Sequence, residues 1–407
     1  MRRRERWMVL RYSLLTEILM RTSSQMGYTA LLVIAYNQSH NTLEIGIVSV
    51  GIVLPSLLFV KFSAYINTLN RAWSSFAWSS TARFLALGLA IIASRNWFTL
   101  MVIAALIGFT QQVIQTAKMT LDTWIVPGNQ RVTFSSSKAT VASLATMIGP
   151  PLAGAIAGLF GPKAALALVA LLGIFSIFSM LPVRFHSKLS TEALLAKNDE
   201  ESGAGRLTLT QALSKFPDVV LSFATYVLVV IILEMEVPLL FPFVHEIYAR
   251  GAEFAGYLLG VCGIGTFAGA LFMKRWGRPF TPTAITLVLI LDGAALMIAT
   301  RGVPLPILFA LFSVLGVISA VTLVSTETQI QNVVPAEVAA PLFSLMFFAG
   351  GAGGAAMTLI STAIAQKLGA SRVLFACGGL EIAIGLAVFS AMGALTSYLQ
   401  KRASNGQ

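Results

Sequence analysis

Charge is what this sequence has least of. Asp, Glu, Lys and Arg make up 11% of its 407 residues, against about a quarter in an ordinary soluble domain. So few charges cannot cover a soluble surface. Cysteine occurs twice and histidine three times. Cys262 and Cys377 both stand inside apolar runs, which argues against a disulfide framework and a zinc cluster. His40, His186 and His245 are scattered, so no HExxH pair exists and no metal site is expected. The GxxxxGK[ST] phosphate loop is missing, which excludes nucleotide binding of that kind. The serine run at 135–137 lacks the glycines of a nucleophile elbow. Neither an enzyme nor a cofactor is indicated.

Apolar residues are what is abundant. They form 56% of the chain and give a mean hydropathy of +0.80, values that belong to polytopic membrane proteins and make the bilayer the main solvent. The net charge of +11 invites a nucleic-acid partner. Its Lys and Arg residues concentrate, however, in segments on one side of the expected spans. That is the positive-inside bias, and no nucleic acid is needed to explain it. Arg2, Arg3, Arg4 and Arg6 precede an apolar stretch in the manner of a signal peptide. Glu17 and Arg21 interrupt that stretch and no small-residue cleavage site follows, so it reads as an uncleaved first span.

One long polar interruption divides the chain. Residues 184–217 carry Asp, Glu, Lys and Arg with Gly203 and Gly205 among them, and such a segment is a water-exposed linker. Residues 1–183 and 218–407 each hold six apolar runs of about 20 residues, the length that crosses a bilayer. Basic residues at both ends place both termini in the cytoplasm. The halves also align. LIGFTQQVIQTAKMTLDTWIVP at 106–127 matches VLGVISAVTLVSTETQIQNVVP at 314–335 without a gap, pairing Gly108 with Gly316, Val126 with Val334 and Pro127 with Pro335. A duplicated bundle that rocks about a midplane site is the expectation.

In the fifth span the chain reads ATMIGPPLAG at 145–154. This resembles the GxxxGPxxGG signature of proton-coupled antiporters in the major facilitator superfamily, with Gly149, Pro150 and Gly154 kept and Ala at two glycine positions. Small residues one turn apart let helices approach, and Pro150 removes a hydrogen bond. The loop SAYINTLNR at 63–71 is similar to the GxxxDRxGRR pattern of that superfamily. Ser63 and Asn67 replace its Gly and Asp, and Arg71 keeps its base. KRWGR at 274–278 is the second copy. QNVVPAE at 331–337 followed by FSL at 343–345 resembles the macrolide-efflux and siderophore-export branch. The resemblance implies an all-α polytopic fold in the bacterial inner membrane. Its twelve transmembrane helices form two pseudo-symmetric six-helix bundles, act as a monomer, and line a cavity with spans 1, 4, 7 and 10.

Ionisable residues inside spans are costly, and each is a functional hypothesis. They are Glu17, Arg21, Arg83, Glu234, Glu236, Asp292 and Glu381. Glu17 and Arg21 stand at i, i+4 with the acid first, and Ser24, Gln25 and Tyr28 continue their face. The stripe reads either as proton-coupling and cavity residues or as a structural ion pair. In span 7, Ser222, Tyr226 and Glu236 share a stripe, with Glu234 turned away and Pro238 just beyond. A carboxyl in low dielectric favours its neutral form and can exchange protons. Glu236 is therefore the expected proton carrier, and the competing reading is a solvated residue at the outer end of the span. Gln111, Gln112 and Gln115 of span 4 and Ser319, Thr322 and Thr326 of span 10 suit a polar part of a cargo or, alternatively, interhelical hydrogen bonds. Arg83, Asp292 and Glu381 lie in spans that the resemblance makes peripheral, and read as structural. Asp122 and Glu327 stand near cytoplasmic ends. The combined expectation is export of a small amphipathic organic molecule, of the drug or siderophore class, by proton antiport with alternating access. The alternatives are a proton-coupled importer of a siderophore or nutrient, or a transport-silent membrane scaffold or sensor.

Overall fold

A backbone in hydrocarbon has no water to bond, so each crossing segment must satisfy its own N–H and C=O groups as a helix. The computed structural model describes residues 3–66, 71–93, 97–125, 131–187, 217–333 and 336–404. Among them are twelve long helices and one short one, and no strand. In the first part of the chain these are α1 (Arg3–Ser39), α2 (Thr42–Leu58), α3 (Val60–Ile66), α4 (Ala72–Ala93), α5 (Trp97–Ile125), α6 (Arg131–Phe160) and α7 (Pro162–Ser187). In the second they are α8 (Pro217–Tyr248), α9 (Glu253–Trp276), α10 (Pro282–Ala299), α11 (Leu305–Val333), α12 (Ala336–Leu368) and α13 (Ala370–Ser404). The second span is thus α2 and α3 in series. Pro55 within α2 has no N–H to give the carbonyl one turn back, and the helix breaks at Phe59. α7 runs to Ser187, four residues into the expected linker, α8 begins at its last residue, Pro217, and residues 188–216 lie outside the described residues, as does Asn67.

Nine described stretches are long and apolar enough to cross a membrane, among them Pro162–Pro182, Phe223–Tyr248 and Leu305–Thr326. Thr42–Pro55 and Thr283–Ala299 are shorter apolar helices. α1 is not among the nine because its polar stripe lowers its hydropathy. It is covered by protein instead, with residues 29–36 buried without a break.

The chain separates into two compact units, Met1–Gly205 with Ala249–Gly263, and Arg206–Tyr248 with Ile264–Gln407. In the first, α1 packs on α6 and α7, α4 on α5 and α7, and α2 on α5. Met20, Phe76, Ile114, Leu121 and Met180 close a core shared by α1, α4, α5 and α7. In the second, α8 packs on α12 and α13, and α10 on α11 and α13. Val229, Ile285 and Leu289 centre a smaller core there. Several pairings repeat between the halves: α1 packs on α6 and α7 as α8 does on α12 and α13, and α4 packs on α5 and α7 as α10 does on α11 and α13.

Small residues set the closest approaches. A side chain at Gly108 in α5 would overlap the backbone of Ile52 in α2. Gly149, in the signature at 145–154, leaves room for Gln25, whose Cβ would stand 2.7 Å from an added methyl. Gly154 lies on the start of α9, where an added methyl would meet the Glu253 carbonyl oxygen at 2.5 Å. Gly256 reciprocates, with 2.8 Å to the Pro150 carbonyl oxygen. These contacts explain why the beginning of α9 clusters with the first unit.

Gly108→Ala is expected to lower stability by about 1 to 3 kcal/mol, as overpacking against backbone does. Gly88→Ala, where no atom lies within 4 Å of the added methyl, is expected to leave it unchanged or slightly raised. Thermal unfolding of the purified variants in detergent reads the difference, and equal midpoints would contradict the close α2–α5 contact.

Candidate functional site

Two groups of ionisable side chains stand inside the bundles, one in each unit, and they are satisfied in opposite ways. In the first unit Glu17 is buried on α1, and Arg21 Nε donates to its Oε1 at 2.5 Å. The expected i, i+4 pair is therefore present. It belongs to a larger network that sequence reading missed. Lys118 of α5, 1% exposed at its side chain, places Nζ 2.9 Å from Glu17 Oε2 and 2.9 Å from Asp122 Oδ2. Ser13 donates to Asp122 Oδ1 at 2.6 Å and accepts from Lys118 Nζ at 3.1 Å. Lys138 of α6 donates to Asp122 Oδ2 at 2.8 Å and lies 3.9 Å from Glu17 Oε2. Three bases thus surround two acids across α1, α5 and α6. Arg21 carries the surplus outward, its side chain 40% exposed.

The other expected cavity residues of this unit divide. Tyr28 shares a 2.8 Å hydrogen bond with Ser49 of α2, and Gln111 accepts from Arg83 Nη1. Both are engaged within the bundle. Gln25, Gln112 and Gln115 are half-buried, and among the described residues no hydrogen bond occupies their side chains.

The second unit gathers acids that, among the described residues, have no base paired with them. Glu236 of α8, Asp292 of α10 and Glu381 of α13 interact electrostatically with one another. Asp292 and Glu381 are each 4% exposed, and all three keep an oxygen with no hydrogen-bond partner. The ion pairs found among the described residues all lie in the first unit. Asp292 and Glu381, which the sequence reads as structural charges in peripheral spans, stand in the neighbourhood of Glu236. The cause is close packing of α10 on α13. Gly293 and Gly378 face each other, with the Gly293 carbonyl oxygen 2.5 Å from a methyl on Gly378, and a methyl on Gly293 would sit 3.0 Å from the Glu381 Cβ. Helices this close bring neighbouring side chains together. The available signal was three apolar spans each holding an acid with no base at similar depth. Among the described residues no set of three or more His, Cys, Asp or Glu is arranged to hold a metal ion, so the three are neighbours without forming a coordination shell.

Glu234 lies apart, its Cβ 2.7 Å from a methyl on Gly354 and its carbonyl accepting from Thr358 at 2.8 Å. That agrees with its opposite direction on α8. Tyr226, Ser319, Thr322 and Thr326 are buried in the same unit. Thr326 donates to the Thr322 carbonyl at 2.8 Å, and the Thr322 hydroxyl has no partner. The side chains of Ser222 and Glu327 lie outside the described residues.

Residues 14–358 match the family described as the Major Facilitator Superfamily. No curated protein matches the chain. Among solved structures, a mutant of the nucleoside transporter NupG superposes with a TM-score of 0.71 at 14% identity, covering 94% of this chain and 99% of that one. A bacterial homolog of the human lysosomal transporter Spinster, inward-facing and unoccupied, gives 0.70 at 14% identity, covering 94% and 96%. At that identity the likeness carries the fold.

Lys118→Met removes the cation that both buried carboxylates share, and is expected to cost about 3 to 5 kcal/mol. The double variant Lys118→Met with Glu17→Gln removes both partners and should recover part of that loss. A thermal unfolding midpoint for the double variant no higher than for the single one would show that the two groups are not coupled.

Proposed function

The chain belongs to the major facilitator superfamily, and from that premise we propose that it exports a small amphipathic organic molecule, of the drug or siderophore class, in exchange for protons. The observation that carries this reading is the uncompensated acid set Glu236, Asp292 and Glu381 in the second unit. Neighbouring carboxylates in a low-dielectric interior repel strongly, and charges there need a partner. The described protein supplies no base beside them, and a proton supplies what is missing. The set can then take up protons from one side of the membrane and release them to the other as the chain alternates its access.

The first unit suits cargo recognition better than proton carriage, because its acids are already ion-paired. In the first unit the side chains left to meet a cargo are Gln25, Gln112 and Gln115, and in the second unit Ser319 and Thr322 are read the same way. Arg21 spends one N–H on Glu17 and offers the rest of its fork to an acceptor on the cargo. The amides and the guanidinium of the first unit suit a molecule with polar, acceptor-rich groups on an apolar frame, and the hydroxyls of the second suit the same chemistry. The signature at 145–154, with the chain's likeness to antiporters there, supports exchange over co-transport. We place the protein in the bacterial inner membrane with both termini cytoplasmic, its 184–217 segment joining two six-helix halves, and read it as a monomer.

Glu236→Gln is expected to leave a folded protein that binds and exchanges cargo but no longer drives its movement with a pH gradient. Everted membrane vesicles carrying a pH-sensitive dye, challenged with a panel of macrolides, lipophilic cations and ferric siderophores, read proton release for wild type and variant. Proton-driven transport that persists unchanged in the variant removes Glu236 from the role. Cellular accumulation that falls rather than rises when a protonophore is added reverses the direction to uptake. No movement of any cargo in liposomes favours a transport-silent protein.

A further inference from the structure

Arg83 is a buried cation that the proton and cargo reading does not use. It stands at the middle of α4 and is 5% exposed, so it cannot reach water by stretching along the helix surface. A guanidinium stays charged, and a buried charge is expected to be paired. Arg83 is not. None of the ion pairs among the described residues includes it, and the partner it does have, Gln111, is neutral. Its Nε has no hydrogen-bond partner.

Beside it lies a cavity of about 10 Å³, lined by Met20 and Ser23 of α1, Ser80 and Arg83 of α4, Ile114 of α5 and Ser176 of α7. Ser23 and Ser176 donate to backbone carbonyls, of Val169 at 3.0 Å and Gly173 at 2.6 Å. The hydroxyl of Ser80, 8% exposed, has no partner, and the Nε2 amide of Gln111 is left without one as well. The unmatched groups lining the cavity are therefore a guanidinium N–H and a hydroxyl, with the Gln111 amide N–H next to Arg83, all able to donate, and no acid is among the lining residues.

We propose that this cavity binds a small monovalent anion, a halide such as chloride, held by Arg83 and Ser80. Donors around a fixed positive charge select an anion, since a water molecule fills the space and leaves the charge unmatched. The volume selects a monatomic guest, because about 10 Å³ is room for a single water-sized occupant and a carboxylate or phosphate is too large. The ion is a structural ligand that ties together α1, α4, α5 and α7. The site stands whether or not the second unit carries protons.

The test uses the full-length purified protein in detergent, exchanged into sodium gluconate and then titrated with sodium chloride or sodium bromide at constant ionic strength. A ligand that binds the folded state alone raises the unfolding temperature with its concentration. The wild-type midpoint should rise saturably with either halide and stay flat in gluconate. In Arg83→Gln the halide dependence should vanish. In Ser80→Ala, which keeps the charge, the apparent halide dissociation constant should rise by about tenfold, as for loss of one hydrogen bond to a charged group. Should Arg83→Gln not fold, the Ser80→Ala titration and anomalous scattering from bromide-soaked wild-type crystals decide, with a bromide peak beside the Arg83 guanidinium expected. Equal midpoints in halide and gluconate, an unaltered halide response in the variants, or a site holding water only would overturn the proposal.

Discussion

A charge taken away from water must find its opposite nearby, and the interior of this protein is arranged by that demand. Removing an ion from water is costly enough that each buried acid or base constrains its neighbours. Around Glu17 and Asp122 in the first unit the demand is met inside the protein. Glu17, Asp122, Lys118, Lys138 and Arg21 pair across α1, α5 and α6, and three helices are fixed relative to one another by contacts that no apolar packing would specify. In the second unit the demand is not met. Glu236, Asp292 and Glu381 stand near one another, and among the described residues no base forms an ion pair with any of them.

Which side chains meet is decided by backbone approach. Lipid tails are as apolar as leucine, so helices in a membrane gain little by hiding apolar surface and associate through close packing at small residues. Gly293 and Gly378 bring α10 and α13 into contact, and Glu381 is carried to the neighbourhood of Asp292 as a result. Gly108 does the same for α5 against α2, and Gly154 with Gly256 for α6 against the start of α9. The glycines have no chemistry of their own. They set the register in which the costly groups find one another.

Much of this was readable in the chain. Twelve apolar runs, a polar linker and an internal repeat led to the helical membrane fold, because the bilayer leaves a crossing segment few options. The Glu17–Arg21 pair was readable too, since spacing within one helix fixes which residues share a face. Lys118 and Asp122 have the same i, i+4 spacing. Asp122 stood out near a cytoplasmic end, but Lys118 and its pairing did not, because bases near the end of a span ordinarily reach to water, and only the packing of α5 against α1 shows that Lys118 is enclosed. The grouping of Asp292 and Glu381 with Glu236 was further out of reach. It depends on which faces of three helices turn toward each other, and helices apolar on nearly every side do not reveal that from their sequence.

The two charge sets would also respond to an added proton in opposite ways. A proton added to Glu17 or Asp122 would remove one partner from Lys118 or Lys138 and leave a buried base short of its counter-charge, which is the expensive outcome for an ion pair. A proton added to Glu236, Asp292 or Glu381 relieves repulsion between neighbours and breaks no ion pair among the described residues. Protonation therefore disrupts structure in the first unit and steadies it in the second. In the exchange mechanism proposed above, a transporter that must bind and release protons through each cycle has reason to keep its permanent ion pairs apart from its exchangeable acids, and the ion-paired set and the proposed proton set belong to different units.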